Sequence, residues 1–291
     1  MIHALILLFL LAASSAAQPG PAKGLGASLR FGAMDSSESD LDRGGSVAVS
    51  RWDIEAGYRL VSTSSQTARL SVGLESRDYD FSASSGLFAA LPEDARQYRA
   101  GLNLTGPIND DWTWMLGPGL RWSTLGDADE GDGLAFRGMG LAIRRISDRL
   151  SLSFGALART RLEDPDRYLP IIGIDWKITD RLSLRTADEI GLSYVIDDAR
   201  KWTLDLSLVP REWEYRIEKS DETFSHGVFT DDRLMAWLIA SYRPNPGITL
   251  RAILGTSLTE EFTISDNTGH EITEDDGDPP LHIGLDLALR L

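Results

Sequence analysis

Apolar and polar residues alternate with a period of two along nearly the whole chain, the pattern of strands that bury one face. Leu25, Ala27, Leu29, Phe31 and Ala33 are separated by Gly26, Ser28, Arg30 and Gly32. Trp52, Ile54, Ala56, Tyr58 and Leu60 keep the rule, as do Ala68, Leu70, Val72 and Leu74, then Tyr98, Ala100, Leu102 and Leu104. It continues through Trp112, Trp114, Leu116, Leu120 and Trp122, a glycine-rich stretch over 134–143, Leu150 to Ala158, and Tyr168 to Ile178. The segment 182–196 reads either as two short strands meeting near 187–189 or as one irregular strand. A long strand from Trp202 passes a bulge expected at Pro210 and runs on through Trp213, Tyr215 and Ile217. Segments 234–242, 248–254 and 281–291 complete the set, and no amphipathic helix competes.

The strands are launched by a recurring polar turn. Ile178-Thr179-Asp180-Arg181-Leu182-Ser183-Leu184 is nearly repeated by Ile146-Ser147-Asp148-Arg149-Leu150-Ser151-Leu152. Asn109-Asp110-Asp111 and Asn245-Pro246-Gly247 occupy the equivalent place in two further copies. The spacing is that of two antiparallel strands with one long and one short connection. Short connections near 62–66, 106–111, 147–149, 179–181, 197–201 and 244–247 alternate with mostly long ones near 34–46, 82–95, 123–132, 162–167, 219–230 and 259–280. Short turns on one side and long loops on the other are the construction of an all-β, antiparallel, up-and-down transmembrane β-barrel with its short turns in the periplasm. Counting 187–189 as a short seventh loop gives fourteen strands; twelve is the alternative.

A soluble β-sandwich would also alternate, and two features oppose it. Aromatic residues collect at both ends of the strands: Trp112, Trp114, Trp176, Trp202 and Tyr242 beside short turns, and Trp122, Tyr168, Tyr79 and Phe81 beside long loops. From Trp112 to Trp122, a tilted strand rises roughly 25 Å, the height of a lipid-facing band. The other face carries charges and glycines instead of a sandwich core. Arg30, Arg59, Arg69, Arg99, Arg121, Arg159, Lys177, Arg185 and Arg251, with Asp53, Glu55, Glu75, Asp175 and Asp205, are expected to line a lumen. Such a ladder either conducts, with a charge bias, or fills the interior with cross-strand ion pairs.

Residues 1–17 read as a signal peptide: an apolar run from Ala4 to Ala13, too short to span a bilayer as a helix, followed by small residues to Ala17. Residues 18–291 are then the barrel, exported to the outer membrane of a Gram-negative cell. The 291 residues contain no cysteine, which excludes a disulfide scaffold and thiolate metal sites. A net charge of −15 excludes a nucleic-acid partner and concentrates acid in the external loops. The run 127–132 has the alternating oxygens of a calcium loop, but its twelfth position is Gly138, so no metal site and no cofactor is expected.

Residues 281–291, with His282, Gly284, Leu287 and Leu289, are similar to the C-terminal signal read by the barrel-assembly machinery, although the last residue is Leu291 and not an aromatic. The stretch from Tyr168 to Ile217, with Leu169-Pro170-Ile171-Ile172-Gly173-Ile174-Asp175-Trp176 before the Thr179-Asp180-Arg181 turn, resembles a family of outer-membrane β-barrels known only as a domain of unknown function. That resemblance implies a membrane barrel in contact with lipid and lipopolysaccharide and supplies no catalytic residue. The leading functional reading is a passive, porin-like or structural barrel. A barrel that binds ligands or surfaces through its acidic loops is the alternative, and a hydrolase using Ser225, His226 and Asp231 or Asp232 comes third. Oligomeric state is not readable from the sequence.

Overall fold

The computed structural model describes residues 26–63, 66–126, 128, 132–187, 189–217, 224 and 226–291. The expected signal peptide and most of the calcium-loop-like run lie outside them. Sixteen strands follow in order: β1 (Ala27–Ser36), β2 (Ser39–Asp40), β3 (Ser46–Ser62), β4 (Thr67–Phe81), β5 (Asp94–Pro107), β6 (Trp112–Leu125), β7 (Leu134–Ser147), β8 (Leu150–Arg159), β9 (Arg167–Lys177), β10 (Leu182–Arg185), β11 (Ile190–Val195), β12 (Trp202–Ile217), β13 (Val228–Asn245), β14 (Ile248–Ser265), β15 (Glu271–Asp276) and β16 (Leu281–Arg290). Each pairs antiparallel with its neighbour, and β1 pairs with both β3 and β16, so the sheet closes on itself. Setting aside β2 and β15, which decorate the long-loop end, fourteen strands form the wall. Residues 182–196 are the two-strand hairpin β10–β11.

The repeated turn motif has a physical basis. At every short turn a side-chain oxygen accepts backbone N–H groups that the ladder leaves free. Asn109 Oδ1 accepts from Asp111 and Trp112 at 3.0 and 3.1 Å, and Thr179 Oγ1 from Arg181 and Leu182 at 3.2 and 3.0 Å. Thr63, Ser147, Asp197 and Asn245 do the same for Gln66, Arg149, Trp202 and Gly247.

Side chains at Phe31, Ile54, Leu120, Ile172, Leu206, Leu254 and Leu285 point outward and are exposed, forming the apolar outer face. Tyr79 and Phe81 depart from the expected outer girdle. Apolar residues of β4 occupy even positions up to Leu74, but the phase then reverses, and with no shift in the β4–β5 register the two rings turn inward. Tyr79 is fully buried and stacks near Phe81, at 6.1 Å between ring centres. The same reversal occurs in β12. Its register with β13 is unbroken through Pro210, so the expected bulge is absent and Trp213, Tyr215 and Ile217 face inward.

Above Pro210, β12 leaves the line of the wall. Its end pairs in parallel with the end of β6, Arg216 with Thr124 and Ile217 with Leu125, although five strands separate them around the barrel. This pairing closes a smaller ring of nine strands (β1, β3–β6, β12–β14 and β16) at the long-loop end and leaves β7–β11 outside it. The smaller ring is packed solid. Tyr79, Tyr215, Phe229 and Phe262 have no exposed surface, and the short helical turn 86–90 adds Phe88. Phe229 and Phe262 lie parallel at 6.1 Å, and Tyr79 meets Phe229 edge-on at 5.1 Å.

Candidate functional site: the lumen and its seal

Directly below the aromatic layer lies a charged layer. Asp231 accepts from Tyr79 Oη at 2.7 Å, from Arg233 Nε at 2.5 Å and from Arg77 Nη1 at 3.4 Å. Arg77 also donates to Glu75 at 2.9 Å, and its guanidinium lies 3.4 Å from the centre of the Trp213 ring. Arg233 pairs with Glu260, while Glu75 draws Arg51 and Arg99 to 3.7 Å. Burial of so many charges is tolerable because each has an opposite partner or a hydrogen bond. Since β4 and β13 are not neighbours in the wall, the Arg77–Asp231 and Tyr79–Asp231 contacts cross the lumen and seal it.

The other face of upper β12 makes a second charged joint. Glu212 binds Arg159, Arg161 at 2.9 Å and Arg167 at 2.7 Å. Glu214 binds Arg121 at 2.7 Å and Arg161 at 2.5 Å. Arg216 donates to the Asp132 carbonyl at 3.0 Å and pairs with Glu163 at 2.5 Å. Four arginines of β6, β8, β9 and the 160–166 connection thus hold a strand that has folded across the lumen.

Toward the short turns the interior is polar, with buried carboxylates at Asp286 and Asp53 beside exposed charges. Arg30 and Arg251 (at 3.1 Å) share Asp286, Arg69 donates to Ser28 at 2.8 Å, Asp53 holds Arg51 at 2.6 Å, and Arg185 lies 3.7 Å from Asp175. The Arg185 and Asp175 side chains stay 63% and 53% exposed, so water reaches them inside the barrel. Arg59, opposite Arg69 across the strand pair, and Lys177 are exposed, whereas Glu55 and Asp205 are half-buried. Arg121 and Arg159, by contrast, are committed to the β12 joint, and Arg99 leans on Glu75. Trp112, Trp114, Trp122, Tyr168, Trp176, Trp202 and Tyr242 all lie on the outward face; Trp202 stacks on Tyr242 at 4.4 Å and Trp122 on Tyr98 at 4.9 Å.

Sequence reasoning missed Arg77, Asp231, Arg233, Glu212, Glu214 and Glu260 as a set. The acidic stretches 219–230 and 259–280 read as loops, whereas β13 begins at Val228 and β14 runs to Ser265. The available signal was the reversal of phase at Tyr79 and Trp213. Of the hydrolytic candidates, Ser225 lies outside the described residues, His226 Nδ1 is 3.4 Å from Asp132, and Asp231 is bound to arginines and Tyr79. Among the described residues no group of acidic or histidine side chains is arranged to hold a metal ion, and no helix is long and apolar enough to cross a membrane.

A family described as a domain of unknown function (DUF6268) matches residues 62–291. No curated protein matches the sequence. Among solved structures, the chain is similar to the COG4313 outer membrane channel from Pseudomonas putida F1, with a TM-score of 0.50 and 11% identity, over 94% of this chain and 99% of that one. It is also similar to the P. putida toluene transporter TodX, with a TM-score of 0.50 and 8% identity, over 96% of this chain and 92% of that one. At such identities the likeness is one of fold, the outer-membrane type of β-barrel.

Proposed function

The chain belongs to the DUF6268 family, and from that premise we propose that it is an outer-membrane barrel that lets solutes diffuse passively through its lumen and performs no chemistry. The observation that carries this reading is the water-exposed charged wall in the half of the barrel nearest the short turns, inside a closed sheet with an apolar outer face. A purely structural barrel has no need of exposed charge inside. In this reading the chain is exported by its signal peptide and folded by the barrel-assembly machinery through β16, the strand that closes the sheet onto β1. The two sets of outward aromatics sit at the membrane surfaces, in contact with lipid and lipopolysaccharide. Arg59, Arg69, Arg185, Lys177 and Asp175 line the aqueous part of the route.

The joint at Glu212 and Glu214 is the labile part of the closure, because these two carboxylates hold β12 to β6, β8 and β9 through ion pairs whereas the nine-strand ring is packed with aromatics. The test is single-channel conductance in a planar bilayer. The native chain is expected to show brief, small openings, and Glu212→Gln with Glu214→Gln to lengthen them. A silent membrane with both proteins, each confirmed as folded by protease resistance, would overturn the channel reading.

A further inference from the structure

The wall of the barrel is not of even height. Between β9 (11 residues) and β12 (16 residues) stand only β10 and β11, of 4 and 6 residues. β9 pairs with β10 at Asp175–Lys177 alone, and β11 stops pairing with β12 at Leu208. Above that level no backbone pairing joins β9 to β12 among the described residues, and they meet through the Arg167–Glu212 ion pair, so two strand edges face a gap.

Both edges carry a proline where a donor would be stranded. Ile174 donates to Thr186 Oγ1 and accepts from the Thr186 N–H, so its polar groups point toward β10. Backbone direction alternates along a strand, so Ile172, Pro170 and Tyr168 present theirs to the same side, where no strand follows. The Trp202 carbonyl accepts from Ile196, which by the same rule aims Pro210 at the side of β12 that β11 has vacated. An unpaired N–H in hydrocarbon is costly, and proline removes it. Exposure agrees: Trp176 and Ile174, which have β10 beside them, are 43% and 38% exposed, whereas Ile172 and Tyr168 are 74% and 73%.

The lumen beside this gap is mostly apolar. Met115, Met139, Leu141, Ile143 and Ile171 make up much of the lining of a cavity of about 400 Å³, which Ser151, Ser153, Asp175 and Arg185 complete with polar groups. Leu169, on the same inward face of β9, remains 46% exposed. Apolar side chains bring nothing to an aqueous pore, whose lining is normally polar. The gap therefore has a mostly apolar stretch of lumen on one side, the lipid-facing band on the other, the β10–β11 hairpin below and the Arg167–Glu212 ion pair above. Its height from Ile172 to Tyr168 is about 13 Å along the strand, the length of a small ring or chain.

We propose that this gap is a side opening through which small uncharged apolar solutes pass between the lumen and the acyl chains of the bilayer. The inference rests on the channel reading and adds to it a route and a solute class. The solute enters at the polar, short-turn end or from the membrane, lodges on the Met139–Leu141–Ile171 surface, and leaves sideways because the aromatic ring blocks the axis.

The absence of native cysteine allows single thiols to be introduced. Bimane attached at Leu169→Cys, and in a second protein at Ile171→Cys, is measured in liposomes whose acyl chains carry bromine as a quencher. Asn103→Cys, on the inward face of β5 away from the gap, is the control. Quenching at 169 and 171 but not at 103 is expected; equal, weak quenching at all three would overturn the opening. Passage is read with N-phenylnaphthylamine entering proteoliposomes whose outer leaflet is lipopolysaccharide. Leu141→Arg with Ile171→Arg should drop the entry rate to that of protein-free vesicles in a barrel that protease resistance shows to be folded. Unchanged probe entry in that variant overturns the apolar route even if ions still pass. Loss of ionic openings from the native chain, with quenching and probe entry retained, would fail the aqueous reading and leave the side opening standing.

Discussion

Replacing Asp231 with leucine removes the anion at the centre of the sealed charged layer, and the structure fixes the size of the effect. The carboxylate receives three close bonds, from Tyr79, from Arg233 at 2.5 Å and from the second Arg233 nitrogen at 3.1 Å, with Arg77 further off at 3.4 Å. Each bond to a charged group is worth about 1.5–3 kcal/mol net, but adding them overcounts, since both arginines keep other partners. Arg77 retains Glu75 and Arg233 retains Glu260. Breaking one member out of a buried ionic group typically costs about 3–5 kcal/mol, and these retained partners put the loss near 3 kcal/mol. Asp231→Asn still accepts from the Tyr79 hydroxyl and should lose about half as much. Reversible urea unfolding of the refolded barrel in liposomes, followed by tryptophan fluorescence, gives both values. An Asp231→Leu protein within about 0.5 kcal/mol of native, the range of an ordinary surface change, would refute the claim that this layer holds the seal together.

Other outcomes follow from single features. A Cβ at Gly255 would lie 2.1 Å from the Trp237 ring, so Gly255→Ala should cost about 1–3 kcal/mol in the same unfolding assay and shift the tryptophan emission; an unaltered spectrum would count against that packing. Pro210→Val restores a backbone donor on an unpaired edge and should destabilise by about 1–3 kcal/mol in lipid, which a covered edge would not show. The Asp197 carboxylate is held below the usual range chiefly by the Trp202 N–H. Because its folded value is the depressed one, its contribution to the turn is complete above the unfolded value near ~3.9 and fades as pH falls through the folded value. Hydrogen-exchange protection at Trp202 should therefore decline at acid pH in the native chain but not in Asp197→Asn, and equal profiles would remove the carboxylate from the turn.

The barrel was legible because lipid imposes a strict rule: outward positions within the lipid-facing band must be apolar, and the short turns must satisfy their own backbone. Both rules act within a few residues, so alternation and the Thr179-Asp180-Arg181 turn carry them. The even count followed once 187–189 was allowed as a loop, as β10–β11 bears out. The seal was not legible, because it depends on what faces what across the lumen. Tyr79 and Asp231 are 152 positions apart, and nothing local tells an aromatic at the membrane surface from one turned inward except the phase it occupies. The charged residues expected inside divided for the same reason. Arg185 and Asp175 stand in the polar half, whereas Arg121 and Arg159 found carboxylates on a strand that the alternation alone placed in the wall.

The parallel contact between β6 and β12 also bears on the order in which the molecule is made. Hairpins form from neighbours in sequence, and the sheet can grow pair by pair, but Leu125 and Ile217 meet only after the five strands between them have curved round. Closing so long a loop is entropically slow, so this contact and the aromatic packing it encloses should be the last to assemble. A newly inserted barrel would then pass through a stage as an unlocked tube. Dismantling should run the same path in reverse, so the durability of the finished protein is set where the end of β12 crosses the lumen to meet β6.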